Sequence, residues 1–183
     1  MPPPQVKDEL EIPQDVEITL RNGQVEVRGP KGVLTKNLCY PGVELGLASD
    51  GRNIHLSVDF PSRKQLAMVG TIKAHLRNMV QGVTKGYQAT LKIVYAHFPI
   101  NVKVEQGRVK IENFYGEKKP RYAKIVGDTK VEVSGDTIIV EGVNKEHVGQ
   151  TAANLEKATR IRDRCPRRFQ DGIYLVKKAD VKE

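Results

Sequence analysis

Cysteine is scarce in this chain. Only Cys39 and Cys165 occur among 183 residues, and they are far apart. Two such residues make neither a disulfide framework nor a Cys-x-x-Cys metal or redox pair. A reducing compartment is the simpler setting. Cys165 stands beside Pro166 among arginines that would lower a thiol pKa. No base partner accompanies it, so it is read as structural or incidental. Long hydrophobic runs are also missing. No stretch approaches the roughly 18 apolar residues of a membrane-spanning helix. The opening MPPPQVKDELEI lacks the apolar core of a signal peptide. The expectation is a soluble, cytoplasmic protein that does not enter membranes.

Chemistry-bearing constellations are equally sparse. His55, His75, His97 and His147 show no metal-ligand spacing and are expected at the surface or half buried. Asp163 and Asp171 are too few and too isolated for a metal-dependent nuclease. No catalytic residue, metal site or cofactor is expected. Aromatic residues make up 5% of the chain, so most of them should be needed in the core.

Positive charge is abundant. Thirty Lys/Arg oppose 22 Asp/Glu, a formal net charge of +8, and the pI is near 9.5. Such a balance favours nucleic acid or another anionic surface as partner. Residues 1–90 hold 11 cations and 9 anions, whereas residues 91–183 hold 19 and 13. The second half therefore carries most of the excess.

Within it, Glu156–Lys178 contains Lys157, Arg160, Arg162, Arg164, Arg167, Arg168, Lys177 and Lys178. Arginine presents a planar fork that fits phosphate oxygens bidentately. Pro166 stops a helix, and Gly172 allows a turn before the apolar run Ile173–Val176. The pattern reads as a basic loop held between a helix and a strand. A solvated charged surface is the competing reading. Lys118, Lys119, Arg121 and Lys124 form a second basic cluster, flanked by Tyr115 and Tyr122. Phe169 and Tyr174 flank the first. Aromatics beside cations can stack on unpaired bases, and Phe169 is the best placed for it.

Along the chain, polar residues 1–8 are expected to be a flexible N-terminal segment. Val16, Ile18 and Leu20 alternate, Asn22-Gly23 turns, and Val25 and Val27 alternate back, a hairpin signal. Gly29-Pro30-Lys31-Gly32 has the form of a nucleic-acid-clamping Gly-x-x-Gly loop. That loop joins helices, whereas this one lies between strands and is read as a turn. Lys31 is kept as a secondary contact to RNA or a neighbouring protein. Ser62 and Gln65 have capping-box spacing before Leu66, Val69, Ile72, Leu76, Met79 and Val83 at helical intervals. Tyr87–Tyr95 reads as a long strand. Asn144 reads as the N-cap of a second helix.

The order of events repeats. Pro13, Val16 and Ile18 match Pro99, Val102 and Val104. Gly23, Val25 and Val27 match Gly107, Val109 and Ile111. Val69-Gly70 with Leu76 matches Val148-Gly149 with Leu155. The period, about 80–85 residues, marks an internal duplication. The fold class expected is α+β, with two tandem, similar domains at 9–86 and 87–178. Each is an antiparallel β-sheet packed against one main α-helix, and residues 179–183 are a tail. Glycine inside a helix costs about 1 kcal/mol relative to alanine, so Gly70 and Gly149 are expected to mark a close helix–sheet contact. The copies differ where the arginines are, so the second is expected to be the one that binds nucleic acid, RNA or DNA.

These motifs in this order resemble the family of the sixth universal protein of the large ribosomal subunit. The residues that carry the resemblance are Gly29–Gly32, the paired Val-Gly helices, Asn144–Ala153 and Arg167–Tyr174. Arg-Arg-Phe-Gln-Asp-Gly-Ile-Tyr resembles the archaeal and eukaryotic branch and departs from the Tyr-Lys-Gly-Lys-Gly run of the bacterial one. The resemblance implies that the second domain grips large-subunit rRNA near the sarcin–ricin loop. It also implies that neighbouring large-subunit and stalk-base proteins are partners and that translational GTPases pass close by. A module that docks an acidic protein through its basic face is the alternative.

Overall fold

Where apolar and polar residues alternate, this chain is extended; where apolar residues recur every three or four positions, it is helical. The computed structural model describes residues 5–21, 23–48, 52–161, 165 and 167–182. The chain forms two compact units, Met1–Lys85 and Gly86–Glu183.

The first unit runs β1 (Gln5–Glu11), β2 (Glu17–Arg21), β3 (Gln24–Gly29), β4 (Gly32–Asn37), β5 (Glu44–Leu47), β6 (Asn53–Asp59) and α1 (Arg63–Thr84). Its strands make two antiparallel sheets, ordered β1-β6-β5 and β2-β3-β4. Val25, Val27, Ile54, Leu56 and Val58 alternate inward, and Val69, Ile72, Leu76 and Val83 come from α1; all are buried. Helix α1 starts at the capping box read from the sequence. Ser62 Oγ accepts the Gln65 N–H at 3.3 Å, and Gln65 Oε1 accepts the Ser62 N–H at 2.8 Å. Gly86, at φ +78°, ends it in the left-handed region that side chains avoid.

The second unit repeats this path: β7 (Tyr87–Val94), β8 (Asn101–Glu105), β9 (Arg108–Glu112), a 3-10 turn (Phe114–Gly116), β10 (Arg121–Lys124), β11 (Lys130–Ser134), β12 (Thr137–Gly142) and α2 (Lys145–Ala158). One strand is added, β13 (Gly172–Val181). The sheets are ordered β10-β9-β8 and β11-β12-β7-β13, all antiparallel. Thus β7-β12-β11 repeats β1-β6-β5, β8-β9-β10 repeats β2-β3-β4, and β13 adds an edge on β7. The core gathers Leu91, Ile111, Ile138, Leu155 and Ile173. Asn144 caps α2, its Oδ1 accepting the Glu146 N–H at 2.9 Å.

Four expectations are corrected. Residues 5–8 are not a loose segment: Gln5–Glu11 pairs antiparallel with β6, Gln5 opposite Asp59 and Glu11 opposite Asn53. Asp8 concealed this strand, because a carboxylate stands between Val6 and Leu10 on the inward side. It is paired there with the Lys73 ammonium of α1. At the other end β13 continues to Val181, opposite Tyr87, so residues 179–181 are strand. β7 stops at Val94, and Tyr95 is exposed beyond it. The helix glycines do not make a close contact with the sheets either. A Cβ on Gly70 or Gly149 would meet nothing within 4 Å. Their neighbours Val69 and Val148 make the buried contacts.

Candidate nucleic-acid interface

The arginine loop leaves α2 at Thr159 and returns at Ile173. Its base is closed by one side chain: the buried Thr159 hydroxyl accepts the Ile173 N–H at 3.0 Å. At its return, the N–H groups of Arg168 and Phe169 both donate to the Cys165 carbonyl at 3.1 Å. Asp171 is buried, and its Oδ1 accepts the Ala96 N–H at 3.2 Å. The segment is therefore anchored at both ends, between a helix and a strand as expected, but α2 ends at Ala158, well before Pro166, which lies outside the described residues. A recess of about 510 Å³ opens at its base, lined by Lys157, Arg160, Ile161 and Tyr174 among others.

The lysine turn, between β9 and β10, is held against this loop. Arg121 makes a bidentate pair with Glu117, at 2.6 and 2.9 Å. Its Nη1 also donates to the carbonyls of Ala158 and Arg160, at 3.0 and 3.3 Å. The Ala158 carbonyl is one that a helix leaves unsatisfied at its C-terminus, where a cation is favoured by the dipole, and the Arg160 carbonyl lies just past that end. The guanidinium lies 4.3 Å from the Phe114 ring centroid. Phe114 packs edge-on against Tyr115 at 4.7 Å, and Tyr115 against Phe169 at 6.0 Å. One row of groups, from Arg121 to Phe169, thus ties the two basic segments together. Asn113 and Tyr115 hold left-handed backbone at φ 60° and 52° to make the turn.

The predicted residues separate into groups. Arg160, Arg167, Arg168, Lys118 and Lys119 are exposed, and among the described residues none of them pairs with a carboxylate. Arg121 is engaged inside the protein and acts as a clamp. Phe169 is half-buried with its ring against Tyr115. Lys124 is exposed on the outer face of the β8–β10 sheet, beside Tyr122 and Arg108, whose guanidinium lies 4.5 Å from the Tyr122 centroid. Neighbouring charges on that face are balanced: Lys110 and Lys103 both pair with Glu112 and hold its carboxyl below the usual range. Lys177 and Lys178 line a different recess, of about 530 Å³, with Lys145 and Gly149 of α2. Arg162 and Arg164 lie outside the described residues. No group of metal-ligating side chains occurs among the described residues, and no described helix is long and apolar enough to cross a membrane.

Two segments of the chain, residues 12–86 and 98–172, match the family model described as Ribosomal protein L6. The chain belongs to the ribosomal protein L6 family. Curated relatives agree. The large ribosomal subunit protein uL6 of Methanobrevibacter smithii is 50% identical over 173 residues, covering 94% of this chain and 96% of the relative. Those of Methanothrix thermoacetophila and Methanosarcina mazei are 51% and 48% identical, covering 92% and 93% of this chain and 95% and 96% of theirs. These sources are archaeal, the branch that Arg167–Tyr174 resembles.

The two L6 repeats share one device and differ in its size. In the first, Lys31 sits in the short β3–β4 turn and its ammonium donates to the Lys85 carbonyl just past α1. The turn packs so closely that a Cβ on Gly29 would fall 2.6 Å from Val83 Cγ2. In the second L6 repeat the turn is longer, and Arg121 caps α2 in the same way. The Gly-x-x-Gly turn is thus a structural contact between a hairpin and a helix end.

Sequence reading passed over the β7–β8 loop, Tyr95–Pro99. The structure places it against both basic segments. Ala96 bonds Asp171, and the Asn113 side chain donates to the Pro99 carbonyl at 3.0 Å. The available signal was two aromatics, Tyr95 and Phe98, set just after the last buried residue of a strand and before a proline.

Proposed function

We propose that this chain is a non-enzymatic structural constituent of the large ribosomal subunit that holds large-subunit rRNA with the second unit's converged basic loops. One observation carries the reading. Clusters some forty residues apart in sequence, at 118–121 and 160–168, are tied together, leaving five exposed cations that pair with no described carboxylate. Phosphate neutralisation supplies the affinity and folded RNA shape selects the site. The family resemblance further supports contact near the sarcin–ricin loop and the stalk base. There neighbouring ribosomal proteins are partners and translational GTPases pass. Relatives named as large-subunit proteins support the large-subunit setting itself.

The test is the salt dependence of binding to refolded large-subunit rRNA. Replacing Arg160, Arg167, Arg168, Lys118 and Lys119 together by alanine should leave folding intact. It should flatten the slope of log K against log salt by about 0.7–0.9 for each phosphate that is no longer neutralised. Replacing the five first-unit cations Arg21, Arg28, Arg52, Arg63 and Arg77 should do much less. An unchanged slope contradicts the assignment. A basic face built for an acidic protein instead predicts release from ribosomes in high-salt sedimentation, where a subunit protein stays with the large subunit.

A further inference from the structure

The β7–β8 loop carries two exposed aromatic side chains. Six consecutive residues, Val94–Pro99, are exposed, and Tyr95 and Phe98 leave 43% and 46% of their surface open. Phe60, Tyr122 and Tyr174 are comparably open; Tyr95 and Phe98 differ in sharing one short loop whose backbone is bonded to both basic segments.

The loop is also held still. The Asp171 carboxylate takes the Ala96 N–H at 3.2 Å, and Asn113 Nδ2 donates to the Pro99 carbonyl at 3.0 Å. The Phe98 ring lies along Gly116, where a Cβ would come within 3.3 Å of its Cε1. One anchor belongs to the arginine loop and the other two to the lysine turn. The loop therefore bridges the cationic segments, with Lys118 and Lys119 just past one anchor and Arg167 and Arg168 just before the other. Two exposed aromatics on an anchored loop between two cationic clusters match the chemistry of a nucleotide whose base is unstacked from its own strand.

We infer that Tyr95 and Phe98 form a stacking platform for unpaired bases of the RNA, while the flanking cations hold the phosphates on either side. The platform rests on the rRNA reading above. It reassigns the stacking role from Phe169, whose ring packs on Tyr115. Stacking ignores base identity and needs only a π face, so the platform sets affinity and position rather than sequence.

The experiment uses the full chain and refolded large-subunit rRNA, titrated at several salt concentrations. Tyr95→Leu and Phe98→Leu keep apolar bulk and remove the π face. Each should weaken binding about ten-fold, with the salt slope and the thermal midpoint unchanged. Tyr95→Phe and Phe98→Tyr should bind like the unaltered chain, which a purely hydrophobic or packing role would not require. Wild-type affinity in both leucine variants, beside a flattened slope in the five-cation variant, overturns the platform and leaves the rRNA reading standing. The same wild-type affinity combined with failure to assemble with neighbouring subunit proteins also overturns it, in favour of a protein contact. Absence of any measurable rRNA binding by the unaltered chain overturns both readings.

Discussion

At the scale of single residues, the helix glycines and Asp8 show how side chains can mislead in opposite directions. Gly70 and Gly149 look like packing devices because they recur at the same place in both repeats. Each nonetheless faces open space. Alanine at either position should therefore raise stability, by up to about 1 kcal/mol per site. Denaturant midpoints at unchanged m-value check this, and a drop in stability would mean that these positions do pack against a neighbour. Asp8 looks like a strand breaker but belongs to a strand. Chiefly through its hydrogen bond to Lys73, its carboxyl is held below the ordinary 3.8. A lowered folded pKa means the stabilisation is complete above the unfolded value and disappears as pH falls through the folded one. Below about pH 4 the stability of the unaltered chain should fall more steeply than that of Asp8→Asn. Parallel curves would mean that the pair contributes nothing.

At the scale of elements, the capping box at Ser62, the Asn144 cap and most strands were legible, because each is written in local residues and one period. The duplication was legible too, since a strand order copied twice leaves the same spacings twice. Strand β1 was hidden by one charge whose partner, Lys73, lies far along the chain in α1. The meeting of the lysine turn with the arginine loop was not legible at all. It depends on Arg121 reaching the end of α2, and no spacing in the sequence announces a guanidinium whose acceptors are two main-chain carbonyls. Composition groups Arg121 with the RNA-facing cations, but its geometry makes it the clamp that assembles them. Arg121→Ala should destabilise the protein by about 1.5–3 kcal/mol, the range for hydrogen bonds to a charged group. Arg121→Lys should restore only part of this, because an ammonium cannot reproduce the fork. Urea unfolding reads both. If Arg121 instead binds phosphate directly, its removal should flatten the salt slope without moving the unfolding midpoint.

At the scale of the whole molecule, a small fold occurs twice and only the second copy carries an added edge strand, an enlarged turn and a long arginine loop. The first copy ends α1 with a lysine on its last carbonyls and turns at once into β7. The second separates α2 from β13 with the loop, and the β7–β8 and β9–β10 connections close around it. The proposed function implies a division of labour between the units, with cationic grip in one and a nearly balanced charge in the other. Mapping protein–RNA crosslinks by mass spectrometry in intact large subunits tests this most directly. The prediction is that rRNA adducts concentrate at residues 95–99, 117–121 and 160–171. Adducts concentrated in residues 5–85, with those three segments unmodified, would contradict it.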